Sequence, residues 1–280
     1  MAGFVRQVLS MALLVSALAG DLAGDGLDEW PQDLWVPPTT TEGPQPGLRA
    51  RMALPEYGGT EVHHLLYLPR DWIEGQAYPV IVEYAGNRWR SSLGTVEGSS
   101  LGYGISGGVG AIWLCLPFVD VDAGANATQW WGDVEATVEY CLEAVEETIQ
   151  RYGGDRDNLF IAGFSRGSIA ANTIGLRDDR IAALWRGFIC HSHYEGPRWW
   201  PGTDPEGAAE RLERLGGRPQ FISHETSVEA TRDYLTRALP DGNFTFMALP
   251  FPDHTDTWVL RDLPERQRLR DWFWSLLTVR

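Results

Sequence analysis

The chain has no lysine: every basic side chain among its 280 residues is arginine. That excludes a P-loop lysine reaching for nucleotide phosphates, a Schiff-base nucleophile and a Ser-Lys dyad. Positive charge is scarce altogether, and the formal net charge is −15. A surface of that sign repels nucleic acid and anionic lipid, so neither is expected as a partner. Cysteine is limited to Cys115, Cys141 and Cys190. An odd number permits at most one disulfide, and all three fall in apolar stretches, where thiols behave as small buried hydrophobes. Long apolar runs are missing after residue 19. Residues 1–19 themselves have the form of a secretory signal, with Arg6, an apolar run over 8–19 and a small-x-small site at Ala17-Leu18-Ala19. That run is too short to span a bilayer comfortably, so export to the periplasm or exterior is expected, with a mature start near Gly20 or Asp21.

What is present is a rhythm. Residues 20–60 are rich in Pro, Gly, Thr and Asp and read as a linker giving way to an edge segment. One domain is then expected over 61–280. Apolar strand candidates at 62–68, 79–84, 111–116, 158–162, 187–190, 220–223 and 244–249 are interleaved with helical stretches at 133–152, 166–176, 205–215, 228–239 and 264–277. Apolar strands alternating with helices predict an α/β fold with a mostly parallel central sheet and helices on both faces. The helix at 133–152 is the clearest. Val134, Val138, Cys141, Leu142, Val145 and Ile149 follow one face, five glutamates face away, Asp133 caps the start and Gly153-Gly154 ends it.

Chemistry enters at Gly163-Phe164-Ser165-Arg166-Gly167, which joins the strand ending at Ala162 to a small-residue helix. Strand, sharp turn with serine, helix: this is the layout of a G-x-S-x-G nucleophile elbow. A serine hydroxyl needs a base within hydrogen-bond reach and a group that orients the base. His254 sits in the loop after the last strand, where this order of elements delivers a base. Turnover is then expected to rise as an ordinary imidazole loses its proton, through roughly pH 6–7. The orienting acid should follow the strand at 220–223. Glu225 is the first choice; Glu229, Asp253 and Asp256 remain alternatives. Oxyanion donors are expected from the Arg166 N–H and from Gly86 or Asn87, in the loop after strand 79–84. The Arg166 side chain is open to two readings, a substrate contact or a solvated arginine.

These residues together resemble the α/β-hydrolase superfamily, over roughly 62–280. The opening, Tyr78-Pro79-Val80-Ile81-Val82-Glu83-Tyr84 preceded by Asp71-Trp72, is similar to that of secreted esterases of the feruloyl-esterase, polyhydroxyalkanoate-depolymerase and esterase-D kinds. The resemblance implies a serine esterase working through an acyl-enzyme, without a cofactor, on a small-molecule or polysaccharide-linked ester. A serine peptidase and a non-catalytic binding protein on the same fold are the rival readings, the second prompted by the absence of an aspartate at the usual acid position.

Two further patterns bear on the pocket. Thirteen tryptophans is a high number, and Trp130-Trp131 and Trp199-Trp200 fall in loops expected at the carboxyl ends of strands, where open α/β sheets bind ligands. Trp130 and Trp131 are expected to meet sugar or aromatic groups of the substrate. His191 and His193 are expected to share a strand face and to line the pocket; with no third ligand of suitable spacing, no metal is expected. Gly102-Tyr103-Gly104-Ile105-Ser106-Gly107 matches G-x-G-x-x-G but precedes a strand instead of following one, so it is read as a mobile loop and not a dinucleotide site.

Overall fold

The computed structural model describes residues 26–90 and 92–277. The signal expected at 1–19 lies outside them. In chain order the elements are β1 (Thr39–Thr40), β2 (Arg49–Met52), β3 (His64–Tyr67), β4 (Tyr78–Tyr84), α1 (Leu101–Ser106), β5 (Ile112–Leu116), β6 (Val119–Asp120), β7 (Ala125–Asn126), α2 (Val134–Tyr152), β8 (Gly154–Phe164), α3 (Arg166–Thr173), α4 (Asp179–Ala182), β9 (Gly187–His191), α5 (Pro205–Glu213), β10 (Gln220–His224), α6 (Glu229–Ala238), β11 (Phe244–Ala248) and α7 (Pro264–Ser275). Nine strands form one sheet in the order β1-β2-β3-β5-β4-β8-β9-β10-β11. Pairing is antiparallel where β3 meets β2 and β5, and parallel elsewhere in that sheet. β6 and β7 make a separate small hairpin.

The near-continuous apolar strands are explained by two covered faces. Along β4, Val80, Val82 and Tyr84 enter one core while Ile81 enters the other; along β8, Leu159 and Ile161 oppose Phe160 and Ala162. The first core is closed by α2, through Val138, Cys141 and Val145, and by Leu212 of α5 and Leu235 of α6. The second is closed by α1, α7 and Trp258. Each fully buried branched side chain contributes about 1.5–3 kcal/mol relative to exposure. Asp133 Oδ1 accepts from the Ala136 N–H at 2.8 Å at the start of α2, and Gly153 ends it at φ 77°. The three cysteines are buried and unpaired. Among the described residues no helix is long and apolar enough to cross a membrane.

Residues 26–60 run along one edge of the sheet and pack against the domain. β2 extends the main sheet, the Leu27 N–H donates to Asp253 Oδ2 at 2.8 Å, and Arg266 holds Asp33 through both carboxylate oxygens. The G-x-G-x-x-G stretch is a helix, α1, and not a loop. Its first turn is held by a buried carboxylate: Glu83 Oε1 accepts from the Ser100 and Leu101 N–H groups at 3.1 Å, and Oε2 accepts from Gly102 N–H at 2.8 Å. The glycines permit close packing. A Cβ on Gly102 would lie 2.1 Å from the Trp113 ring, and one on Gly104 2.2 Å from Val259.

Candidate active site

β8 runs into α3 through Ser165, whose backbone sits at φ 54° and ψ −112°. A non-glycine residue there costs on the order of 1–3 kcal/mol and persists only where its surroundings hold it. The Ser165 N–H donates to the His191 carbonyl at 2.9 Å. Crowding on either side explains the flanking glycines: a Cβ on Gly163 would fall 2.0 Å from the Gly167 carbonyl oxygen, and one on Gly167 1.8 Å from that of Tyr84. Ser165 Oγ is thereby presented at the carboxyl end of the central strand.

His254 arrives from the loop after β11, with Nε2 3.2 Å from Ser165 Oγ. Its Nδ1 lies 2.6 Å from Glu225 Oε1, just past β10. Burial opposes ionisation of Glu225, but the hydrogen bond from His254 and the neighbouring histidines outweigh it and hold the carboxyl down to about 2. An ionised Glu225 accepts, so His254 carries its proton on Nδ1 and offers Nε2 as acceptor to the serine hydroxyl. Ser192, which sequence reasoning passed over, joins this pair: its hydroxyl donates to Glu225 Oε1 at 3.0 Å and lies 2.9 Å from His254 Nδ1. Phe164 backs the imidazole at 4.8 Å between ring centroids.

The other acid alternatives are engaged elsewhere. Glu229 pairs with Arg232, and Asp253 holds Leu27. Asp256 is buried, and burial together with the charge of Glu83 pushes it up to about 8, leaving it mostly protonated at neutral pH.

Arg166 follows Ser165 directly at the start of α3. Among the described residues no hydrogen bond is made by the Arg166, Gly86 or Asn87 backbone N–H. A Cβ on Gly86 would sit 3.4 Å from that of Ser165, so this backbone passes directly beside the nucleophile position. Asn87 Oδ1 accepts from the Trp130 N–H at 2.7 Å. The Arg166 side chain corrects both readings offered for it. It is 1% exposed, neither solvated nor open to substrate. Its guanidinium stacks over Phe118 and donates to the carbonyls of Ala85, Gly86, Gly94, Ala127 and Trp130. Burial pulls it down to about 9, so it stays charged at neutral pH. One buried cation thus gathers the loop after β4 and the loop before α2. Replacing it with methionine leaves these carbonyls without their donor. Arg166→Met is expected to lower unfolding stability by about 3 kcal/mol, read as a lower urea midpoint; an unchanged midpoint would remove Arg166 from this role.

The histidine pair separates. His191 closes β9, and Ser192 at φ 79° breaks the strand alternation that would have put His193 on the same face. His191 is fully buried, with Nδ1 2.9 Å from Ser223 Oγ and Nε2 3.0 Å from the Thr255 carbonyl. Both ring nitrogens are occupied, so it is no substrate contact. His193 instead lies against the serine, with Nδ1 3.2 Å from Ser165 Oγ. Trp131 is also corrected, being 5% exposed with its indole N–H donated to the Pro201 carbonyl. Trp130 is half-buried and leads through Trp200, 6.5 Å away, to His193, whose ring is 4.3 Å from Trp200. Trp89 and Trp199 are exposed in the neighbouring loops.

Nine strands, mostly parallel, with helices on both faces and a serine turn after the central strand decide the architecture. The chain has the α/β-hydrolase fold. No family model and no curated protein matches the sequence. Solved structures match throughout at low identity. A thermostable esterase superposes with a TM-score of 0.53 at 17% identity, covering 81% of this chain and 62% of its own. Esterase 2 of Thermogutta terrifontis, phosphoramylated by tabun, gives 0.53 at 18% identity, covering 80% and 95%. A Bacteroides ovatus protein provisionally described as a dipeptidyl aminopeptidase IV gives 0.55 at 15%, covering 81% and 35%. The chain therefore spans less than two thirds of the first and the last of these.

Burial of neutral imidazoles sets an acid limit on the fold. His64, bonded through Nδ1 to the Tyr140 hydroxyl at 2.9 Å, is pushed by burial down to about 3, and His191 to about 4. In the unfolded chain both protonate below about 6.5. The stability they confer is therefore complete above that pH and is lost as pH falls toward 4, with a slope of up to about 1.4 kcal/mol per unit for each. The melting temperature is expected to fall steadily below pH 6.5, less steeply in His64→Gln; a flat curve from pH 7 to 4.5 would contradict it.

Proposed function

We propose that the protein is a serine hydrolase that cleaves carboxylic esters through an acyl-enzyme. The observation that carries this reading is the line Glu225–His254–Ser165, at 2.6 and 3.2 Å, ending on a strained serine. His254 Nε2 takes the Ser165 proton as Oγ attacks the acyl carbon. The N–H groups of Arg166 and of Gly86 or Asn87 receive the oxyanion, each contributing a few kcal/mol. His254 returns the proton to the leaving alcohol. Water then repeats the sequence and frees the acid.

Trp130, His193 and Trp200 form the aromatic wall beside the nucleophile, and they suit a small-molecule or polysaccharide-linked ester with a flat or ring-shaped group. Residues 1–19 would direct the enzyme to the periplasm or exterior, with 61–280 as the catalytic domain. The peptidase reading retains support in the neighbour described as a dipeptidyl aminopeptidase IV, since peptide cleavage needs the same line of groups.

A fluorophosphonate probe and a pair of chromogenic substrates test the reading. Labelling of the wild type but not of Ser165→Ala, with p-nitrophenyl acetate turned over faster than a peptide anilide, is expected. Absence of labelling would leave a binding protein; faster anilide cleavage would leave a peptidase.

A further inference from the structure

Two imidazoles, not one, touch the nucleophile. His254 Nε2 and His193 Nδ1 both lie 3.2 Å from Ser165 Oγ. A serine hydroxyl has one proton and two lone pairs. With Glu225 fixing the His254 proton on Nδ1, the single Ser165 proton is committed to His254 Nε2. The hydrogen bond to His193 then has only one polarity: His193 Nδ1–H donates and Oγ accepts. We propose that His193 is a catalytic residue of this site, a fixed neutral N–H donor to the serine oxygen. The inference rests on the reading of Ser165 as the nucleophile.

The surroundings hold His193 in this state. Its ring is sandwiched between Trp200 at 4.3 Å and His254 at 5.0 Å. Its carbonyl is pinned by the Ser168 hydroxyl. Two residues on, Glu195 is buried and tied to Arg211 at 2.9 Å and to Thr173 at 2.7 Å, which anchors the loop to α3 and α5. Burial, then repulsion from His254 once that ring is protonated and from Arg198, pushes His193 down to about 3. It therefore stays neutral through any ordinary assay, neither competing with His254 for the proton nor adding a charge that would weaken the base.

The chemical consequence falls where Oγ carries negative charge. During attack the O–H bond breaks and its proton passes to His254 Nε2; Oγ is most electron-rich while that proton is leaving and its lone pair is not yet shared with the acyl carbon. The hydrogen bond from His193 Nδ1–H to Oγ strengthens at that moment and weakens once Oγ is an ester oxygen. In the second half-reaction the acyl carbon–Oγ bond breaks, Oγ becomes the leaving group, and the same N–H stabilises it until His254 returns a proton. His193 itself transfers no proton. A donor that gains strength only in the transition states raises rate without tightening substrate binding.

Three variants test this. His193→Phe keeps the ring between Trp200 and His254 but has no donor. His193→Ala has neither. His193→Asn places an amide N–H at the bond count of Nδ1. Removing an oxyanion donor typically costs 10²–10³ in rate, and a bond already present in the ground state should cost less, about 30-fold. The Phe and Ala variants are expected to lose about that factor in fluorophosphonate labelling rate and in kcat for p-nitrophenyl acetate, with KM within about threefold. His193→Asn is expected to remain within about threefold of the wild type in both. Phe and Ala variants as fast as the wild type, or an Asn variant as slow as Phe, would overturn the proposal while leaving Ser165 as nucleophile. A wild type that neither labels nor turns over ester overturns both together.

Discussion

Ser165→Ala should abolish ester turnover, lowering kcat by about 10⁵–10⁶-fold with the fold intact. The size of the effect follows from position. Ser165 Oγ is the hydroxyl in reach of His254 Nε2; the other serine beside this histidine, Ser192, lies on its Nδ1 side and is engaged with Glu225. Among the described residues no other hydroxyl is hydrogen-bonded to His254 Nε2. The same position predicts a stability effect of opposite sign. At φ 54° and ψ −112° the serine backbone is strained, and glycine adopts that conformation without a Cβ penalty. Ser165→Gly should therefore be as inactive as Ser165→Ala yet melt higher, by about 1 kcal/mol of stability. An active alanine variant would end the case for this nucleophile; a glycine variant that melts lower would show that the turn stores no strain.

Much of this architecture is written in local pattern. α2 begins and ends within a residue of the stretch expected from its apolar face, its aspartate cap and its glycine stop. β4, β9, β10 and the second half of β8 fall on the apolar runs because strands buried on both faces need nothing polar to interrupt them. Element order brings the loops of Ser165 and His254, and of Glu225 as the first of four acid candidates, to one end of the sheet, and His254 lies within hydrogen-bond distance of both Ser165 and Glu225. What escaped depends on contacts between distant segments. α1 contains two glycines in six residues and has poor helix propensity; a carboxylate from β4 and close packing on Trp113 and Val259 hold it. Nothing local marks Arg166 as a buried clamp, since its five partners are backbone carbonyls from other loops. Strand alternation puts His191 and His193 on one face, and the left-handed turn at Ser192 that separates them has no signature in the sequence. That turn sends one imidazole inward and the other onto the nucleophile.

The choice of acid has the next largest consequence. Glu225→Gln is nearly isosteric, so packing around Ser192 and His254 should survive. What disappears is the negative charge opposite the imidazolium that forms as Ser165 attacks. The amide can also present its NH₂ to Nδ1 and so favour the wrong tautomer. A loss in kcat of about 10²–10⁴-fold is expected, with KM little changed. The paired controls are Asp253→Asn and Asp256→Asn. Neither side chain bonds to His254. Asp256, held at about 8 by burial and by Glu83, is already mostly neutral at pH 7, so the amide mimics its resident state. Both should keep kcat within about threefold. The acid side of the pH dependence supplies an independent check. The folded-state pKa of Glu225 is depressed to about 2 from an ordinary 4.5, so its stabilising interaction is complete above the ordinary value and is lost as pH falls toward 2. Glu225→Gln removes that dependence, and its melting temperature should fall less between pH 5 and 3 than that of the wild type. A glutamine variant with full activity, or an Asp256→Asn variant as crippled as Glu225→Gln, would move the orienting role away from Glu225 and into the loop of the base itself.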